Sequence, residues 1–340
     1  MNDKIFRAAA VQAAPVYMDT AASTEKAVAL IEEAAGNGAT LIAFGEAWIP
    51  GYPFWVWLDG AMKNMPRFGE YQASSIELDG PELRRIRDAA AAHSIFVSMG
   101  FSERSGGSLY LAQALIDDHG NLVQGRRKLK PTMAERMVYG EGYGNDLLVQ
   151  DTSLGRVGSL CCWEHLQPLS RYALYSQQEQ IHIAAWPSFG LDTDKVHALG
   201  HEVNNSISQV YAVEGQCYVI APTSIIDDAT VDYIADSTGG IDPFRSGGGF
   251  SMIYGPDGRA LNERVPEHEE GIVYADIDLA ACLAAKIIVD PAGHYSRPDV
   301  TRLLWDQRPA PCVEFDNEPI VEVTDPEVTG HSSETQTGSD

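Results

Sequence analysis

Gly155-Arg156-Val157-Gly158-Ser159-Leu160-Cys161-Cys162-Trp163-Glu164-His165 decides how the rest of this chain is read. Its first six residues form a strand-like run weakened by glycine. Residues 166–178 then carry apolar side chains at helical spacing, with Pro168 placed where a first turn tolerates it. Cys162 therefore falls at a strand-to-helix elbow, exposed at a sheet edge and close to helix N–H groups that favour a thiolate. Cys161, one residue earlier, fits the ordinary role of a free cysteine as a small buried hydrophobe.

Two further strand ends carry charge. The apolar run Thr40-Leu41-Ile42-Ala43-Phe44 stops at Gly45-Glu46-Ala47-Trp48, and a carboxylate beside such a run is costly to bury unless it is partnered or protonated. Leu122-Val123 leads through Gly125-Arg126-Arg127-Lys128-Leu129-Lys130 to Pro131. A carboxylate to move protons, a lysine to stabilise negative charge and a cysteine to attack carbon are the parts that hydrolysis through a thiolate requires. Lys128 and Lys130 share a face if the strand runs through both, so the pattern alone leaves the choice between them open.

The chain has 340 residues, 44% of them hydrophobic, enough for one large α/β unit with a sizeable core. Lys and Arg number 24 against 48 Asp and Glu, and the net charge of −24 argues against nucleic acid or an anionic membrane as partner. No apolar run approaches the ~20 residues of a membrane span, and no cleavable apolar leader is visible. Five scattered cysteines suit a reducing cytoplasm better than a disulfide framework. Helices are expected at 24–35, 82–93 and 203–213, besides the one after Cys162. Strands are expected at 5–13, 95–99, 111–116, 122–123, 181–185, 217–220, 250–253 and 272–274, an α/β alternation. Residues 1–316 read as one domain, and 317–340, rich in Glu, Thr, Ser and Gly, as a disordered tail.

No metal or cofactor is expected. Cys161, Cys162 and His165 lack a second pair at ligand spacing, and His201-Glu202 lacks the second histidine of a zinc helix. The glycine-rich stretches 140–144 and 247–249 lack phosphate-loop context, and no Gly-x-Ser-x-Gly elbow is present. Trp48, Tyr52, Phe54, Trp55 and Trp57, and Trp186-Pro187-Ser188 at another strand end, are either core or pocket wall.

From about Ile5 to about Asp306 the chain resembles the nitrilase branch of the carbon–nitrogen hydrolase superfamily. The likeness rests on four blocks. The first is Phe44-Gly45-Glu46-Ala47-Trp48-Ile49-Pro50-Gly51-Tyr52-Pro53. The second is Arg127-Lys128-Leu129-Lys130-Pro131-Thr132 with Glu135-Arg136 and Tyr139-Gly140-Glu141-Gly142. Cys162-Trp163-Glu164-His165 with Pro168-Leu169 is the third, and Gly293-His294-Tyr295-Ser296-Arg297-Pro298-Asp299 the last. Gly45 departs from the family's usual proline, and Cys161 is foreign to the pattern.

The resemblance implies a four-layer α-β-β-α sandwich. It implies an enzyme that hydrolyses a small nitrile, aliphatic or arylaliphatic, to the carboxylic acid and ammonia through a thioimidate and a thioester. Glu46 would carry protons, Cys162 would attack, and Lys128, chosen over Lys130 because it directly follows an arginine, would stabilise charge. Glu135 would hold Lys128, and Tyr52, Trp163, Trp186 and Pro187 would bind substrate. Cyanide hydratase or dihydratase and amidase activities are alternatives within the superfamily, and a non-catalytic oligomeric scaffold outside it. Dimers that pack helical layers, extended into larger helical oligomers, are also implied. Tyr172 and Tyr175 are candidates for the covered face, and like-charge repulsion makes assembly stronger at high salt.

Overall fold

Ile5–Ala13 alternates between two cores, and that alternation sets the architecture: Ala8 and Ala10 face one, Ala9, Val11 and Ala13 the other. A strand buried on both faces needs a layer on each side. The computed structural model describes residues 5–191, 196–235 and 244–309. Their strands are, in chain order, β1 (Ile5–Ala13), β2 (Ala39–Ala43), β3 (Phe96–Ser105), β4 (Ser108–Ile116), β5 (Leu122–Arg127) and β6 (Gln150–Thr152). Then come β7 (Gly155–Cys161), β8 (Ile181–Ala185), β9 (Tyr218–Ala221), β10 (Thr223–Ser224), β11 (Met252–Tyr254) and β12 (Gly271–Asp278). The helices are α1 (Thr20–Gly36), α2 (Ala61–Ser74), α3 (Pro81–His93), α4 (Pro168–Ser176), α5 (His201–Gly215), α6 (Asp228–Ala235) and α7 (Ala280–Lys286).

The larger sheet runs β10-β1-β2-β3-β4-β5, with β12 antiparallel along β1, and the smaller runs β11-β9-β8-β7-β6. Between them lies a core built from Ala8, Leu41 and Ala43 of one sheet and Val157, Ile183 and Ile220 of the other. The outer face of the larger sheet packs on α1 and α3 through residues such as Ile31 and Ile86. The outer face of the smaller packs on α4 and α5 through Leu174 and Tyr211. This is the expected four-layer α-β-β-α sandwich. No helix among the described residues is long and apolar enough to cross a membrane.

Several boundaries differ from expectation for local reasons. Helix α1 starts at Thr20 because Asp19 caps it, its carboxylate accepting from the Ala22 N–H at 2.9 Å. The span 166–178 divides at Pro168, which opens α4, while Cys162–Leu166 forms a separate 3₁₀ turn. Helix α2 was not anticipated, since Pro66 lies inside it. Strand β3 runs through the polar Glu103, whose burial is allowed by the Arg127 guanidinium at 2.6 Å. Tyr175 does not await a partner chain: it is buried in its own core, with its hydroxyl 3.2 Å from Glu214, and Tyr172 is half-buried. Residues 310–316 and the tail 317–340 lie outside the described residues.

Candidate active site

Three loops leaving strand C-termini meet where the two sheets face each other. Glu46 follows β2 and Lys128 follows β5, both in the larger sheet, while Cys162 follows β7 in the smaller. Each loop holds a side-chain-bearing residue at positive φ: Ala47 at 46°, Met133 at 42° and Cys162 itself at 46°. Residues with a Cβ rarely occupy this region, so the surroundings must over-determine it. The Glu46 loop is also pressed from both sides. A Cβ on Gly100 would fall 2.0 Å from the Gly45 carbonyl oxygen, and one on Gly45 would fall 2.7 Å from that of Trp186. The latter carbonyl also accepts the Glu46 N–H at 3.1 Å.

The Lys128 ammonium donates to Glu46 Oε1 and to Glu135 Oε2, each at 2.8 Å, and all three side chains are at most 1% exposed. Glu135 is fixed by the Thr132 N–H on Oε2 and the Tyr52 hydroxyl on Oε1, both at 2.6 Å. Trp57 Nε1 in turn donates to the Tyr52 hydroxyl at 3.1 Å. Glu46 Oε2 is buried without a hydrogen-bond partner among the described residues. Lys130 points outward and pairs with Glu141 on the surface. Cys161 is buried, and Arg126 Nη1 approaches its sulfur at 3.9 Å.

Burial, reinforced by the neighbouring Glu135, pushes the Glu46 carboxyl above its ordinary pKa, while Lys128 acts against that rise. Burial disfavours the Lys128 charge, yet Glu135 and Glu46 hold its pKa well above normal. The Cys162 thiol is pushed well up, first by burial and then by Glu46, with Lys128 and the Trp163 N–H pulling down. The thiolate-favouring elbow expected from the sequence is thus outweighed, because Cys162 opens a short 3₁₀ turn and α4 starts six residues later. Among the described residues Glu46 Oε2 is the one oxygen of Glu46 and Glu135 left without a hydrogen-bond partner.

Sequence reasoning missed Glu164 as a brace. It takes a bidentate grip from Arg126 at 2.8 and 3.0 Å. It also accepts the N–H groups of Leu129 at 2.8 Å and Cys161 at 2.7 Å. One carboxylate therefore ties the loop after β5 to the loop after β7. The signal was available, since period-two alternation puts Arg126 on the same inward face as Lys128.

Cys162 and Glu135 open into a narrow cavity of about 40 Å³. Tyr52, Trp163 and Pro187 line it, as do the aromatic rings of Phe54, Trp57 and Phe189. Trp186 does not line it: the indole is fully buried, stacked on His165 at 5.0 Å and donating to Ser208. Trp48 and Trp55 are likewise core. Asn204, unremarked in the sequence, lines the cavity and accepts from Trp163 Nε1 at 3.0 Å.

Known proteins resemble this chain in sequence and in fold. The sequence model of the carbon-nitrogen hydrolase family matches residues 7–287. A nitrilase of Pseudomonas syringae pv. syringae (strain B728a) is 52% identical over 307 residues, covering 90% of this chain and 91% of that one. An arylacetone-specific nitrilase of Alcaligenes faecalis is 52% identical over 303 residues, covering 89% and 85%. The crystal structure of a carbon-nitrogen hydrolase from Helicobacter pylori G27 shares the fold, with a TM-score of 0.70 at 18% identity, covering 87% of this chain and 97% of that one. With the match spanning most of its length, the chain belongs to the carbon–nitrogen hydrolase family, in its nitrilase branch.

Proposed function

We propose that the chain hydrolyses aliphatic or arylaliphatic nitriles to the carboxylic acid and ammonia through a Cys162 thioimidate and thioester. The observation that carries this reading is the Glu46 carboxylate, buried with one oxygen on Lys128 and the other without a partner among the described residues. Glu46 Oε2 takes the Cys162 proton as sulfur bonds to the nitrile carbon, and returns it to nitrogen, giving the thioimidate. The same oxygen then deprotonates a water that adds to this carbon. Lys128 and the Trp163 N–H stabilise the charge that develops. Glu46 passes that proton to nitrogen; as the new hydroxyl collapses to the thioester carbonyl its proton also goes to nitrogen, which leaves as ammonia, and a second water cleaves the thioester to acid and free thiol. Glu135 keeps Lys128 in line. Tyr52, Trp163 and Pro187 on the wall support a role in substrate binding, whereas Trp186 acts from behind it through its carbonyl.

Aromatic rings around the cavity, and relatives described as an arylacetone-specific nitrilase and an aliphatic nitrilase, support this substrate class. The deciding experiment is a panel of aliphatic nitriles, phenylacetonitrile, benzonitrile, cyanide and simple amides, assayed for ammonia and acid. Turnover of aliphatic nitriles or phenylacetonitrile is expected, and turnover confined to amides or cyanide would overturn the reading. We also propose a cytoplasmic enzyme, checkable by cell fractionation, that forms dimers and larger helical oligomers. Leu169 on α4 and Val210 on α5 leave apolar surface exposed on the outer layer. Light scattering should show at least a dimer, growing with ionic strength; a monomer at both low and high salt would exclude it.

A further inference from the structure

Four buried polar side chains lead away from the Cys162 backbone, and none of them lines the cavity. His165 Nδ1 is 2.6 Å from the Cys162 carbonyl oxygen, and His165 Nε2 is 2.9 Å from His182 Nε2. His182 Nδ1 is 2.8 Å from Glu179 Oε1, and the Tyr211 hydroxyl donates to Glu179 Oε2 at 2.6 Å. All four side chains are at most 1% exposed. The rings are also clamped, His182 stacking on Tyr211 at 3.7 Å and His165 on Trp186 at 5.0 Å.

Donors and acceptors admit one neutral arrangement of this series. A carbonyl oxygen only accepts, so His165 Nδ1 carries its proton and Nε2 accepts. His182 must then donate from Nε2 and accept at Nδ1. Glu179 Oε1 must therefore be protonated, with Oε2 accepting from Tyr211. Every hydrogen bond points the same way, from Tyr211 to the Cys162 carbonyl, a polarity in which each bond strengthens the next. Burial favours this state. It holds both imidazoles well below their ordinary pKa, His182 and Arg171 adding to the effect on His165, Arg126 to that on His182, and Glu164 opposing at both. It pushes the Glu179 carboxyl up to about 8, with Tyr211 and Lys286 opposing.

The end of the series is what gives it a task. The Cys162 carbonyl and the Trp163 N–H are two ends of one planar peptide unit, so fixing the oxygen fixes where the N–H points. That N–H is the backbone group that lowers the Cys162 thiol pKa, and the peptide hangs from a residue at φ 46° that needs outside support. We propose that Tyr211, Glu179, His182 and His165 form a neutral, one-directional hydrogen-bond chain that holds this strained peptide and aims the Trp163 N–H at the charge formed during the reaction. They are positioning residues, acting through the peptide. The proposal rests on the functional reading above for the task of that N–H.

The test compares kcat and KM of Glu179→Gln and Glu179→Leu on whichever carbon–nitrogen substrate the wild-type enzyme turns over. Turnover of amides alone would overturn the nitrile reading and leave this comparison standing. Glu179→Gln keeps a donor for His182 and an acceptor for Tyr211, so kcat should stay within about threefold. Glu179→Leu breaks the chain and should lower kcat by about tenfold or more, with KM within about twofold. Equal loss in both variants would overturn the neutral chain. Unchanged kcat in Glu179→Leu, with only a lower melting temperature, would overturn the positioning role. If Glu179→Leu does not fold, His165→Asn against His165→Gln decides. Asn can still donate to the Cys162 carbonyl and should keep at least about tenfold more kcat than Gln, which reaches only towards His182; equal kcat would overturn the proposal.

Discussion

Two buried polar clusters bear on Cys162 and differ in how completely they are satisfied. In Glu46–Lys128–Glu135 three ionisable groups crowd together and one carboxylate oxygen has no partner among the described residues. Along His165–His182–Glu179–Tyr211 every polar side-chain atom is engaged. Burial raises the carboxyl pKa in both, at Glu46 and at Glu179. The consequence depends on the neighbour. Lys128 in contact with Glu46 makes its ionised form reachable, and the free oxygen can exchange a proton with a reacting group. Glu179 touches no Lys or Arg among the described residues and spends both oxygens on His182 and Tyr211, so it holds its proton and orients. A raised carboxyl pKa marks an acid–base catalyst only where an oxygen is also unspent.

The comparison can be broken at its largest effect first. Cys162→Ala should abolish nitrile hydrolysis, whereas Cys161→Ala, which removes a buried sulfur beside Arg126, should keep most of it. Ammonia release by the purified variants reads this, and retained turnover in Cys162→Ala would remove the nucleophile. Next comes the lysine. Lys128→Ala takes the cation from two buried carboxylates and should lower kcat by a factor of about 10² or more. Lys130→Ala loses one exposed ion pair and should leave kcat alone. The opposite ranking would misplace the charged cluster.

The smallest effect concerns stability and pH. Glu179 is raised from 4.5 to about 8 in the folded protein. Its contribution is therefore fully present below pH 4.5 and is lost as pH rises towards 8, because the unfolded chain ionises first. Glu179→Gln does not titrate. Its melting temperature relative to wild type should climb across that window, by the equivalent of on the order of 1 kcal/mol or more. Glu46 shifts in the same sense but is present in both proteins and cancels. A flat difference across the window would mean that Glu179 is not neutral.

How much of this was legible in the sequence follows from what pattern can encode. The strand ends bearing Glu46, Lys128 and Cys162 were visible because charge or sulfur after an apolar run is costly without a purpose. The layer order was not, since the two-core alternation of β1 among alanines looks like any small-residue strand; the family resemblance supplied it. Aromatic residues divided without a sequence rule: Tyr52, Phe54 and Trp57 reach the cavity while Trp48 and Trp55 are core. Trp186, at a strand end like Pro187, turned inward because α5 offers Ser208 for its indole. Helix α2 hid behind Pro66. The Glu179 relay was unreadable because its members come from β8, α5, the 3₁₀ turn after β7 and the loop after α4.

Because Glu46 and Lys128 belong to one sheet and Cys162 to the other, the spacing of reacting atoms is also a gauge of how the two sheets seat on each other. The filling between them, Ala8, Leu41, Ala43, Val157, Ile183 and Ile220, thereby acts as a shim. Thinning or thickening it by a methylene would shift Cys162 relative to Glu46, although none of these side chains lines the cavity. Glu164, gripped from both sides, resists that slippage at the rim. The alignment of the proposed reacting groups is thus tied to the packing of that interior, on which hydrostatic compression acts.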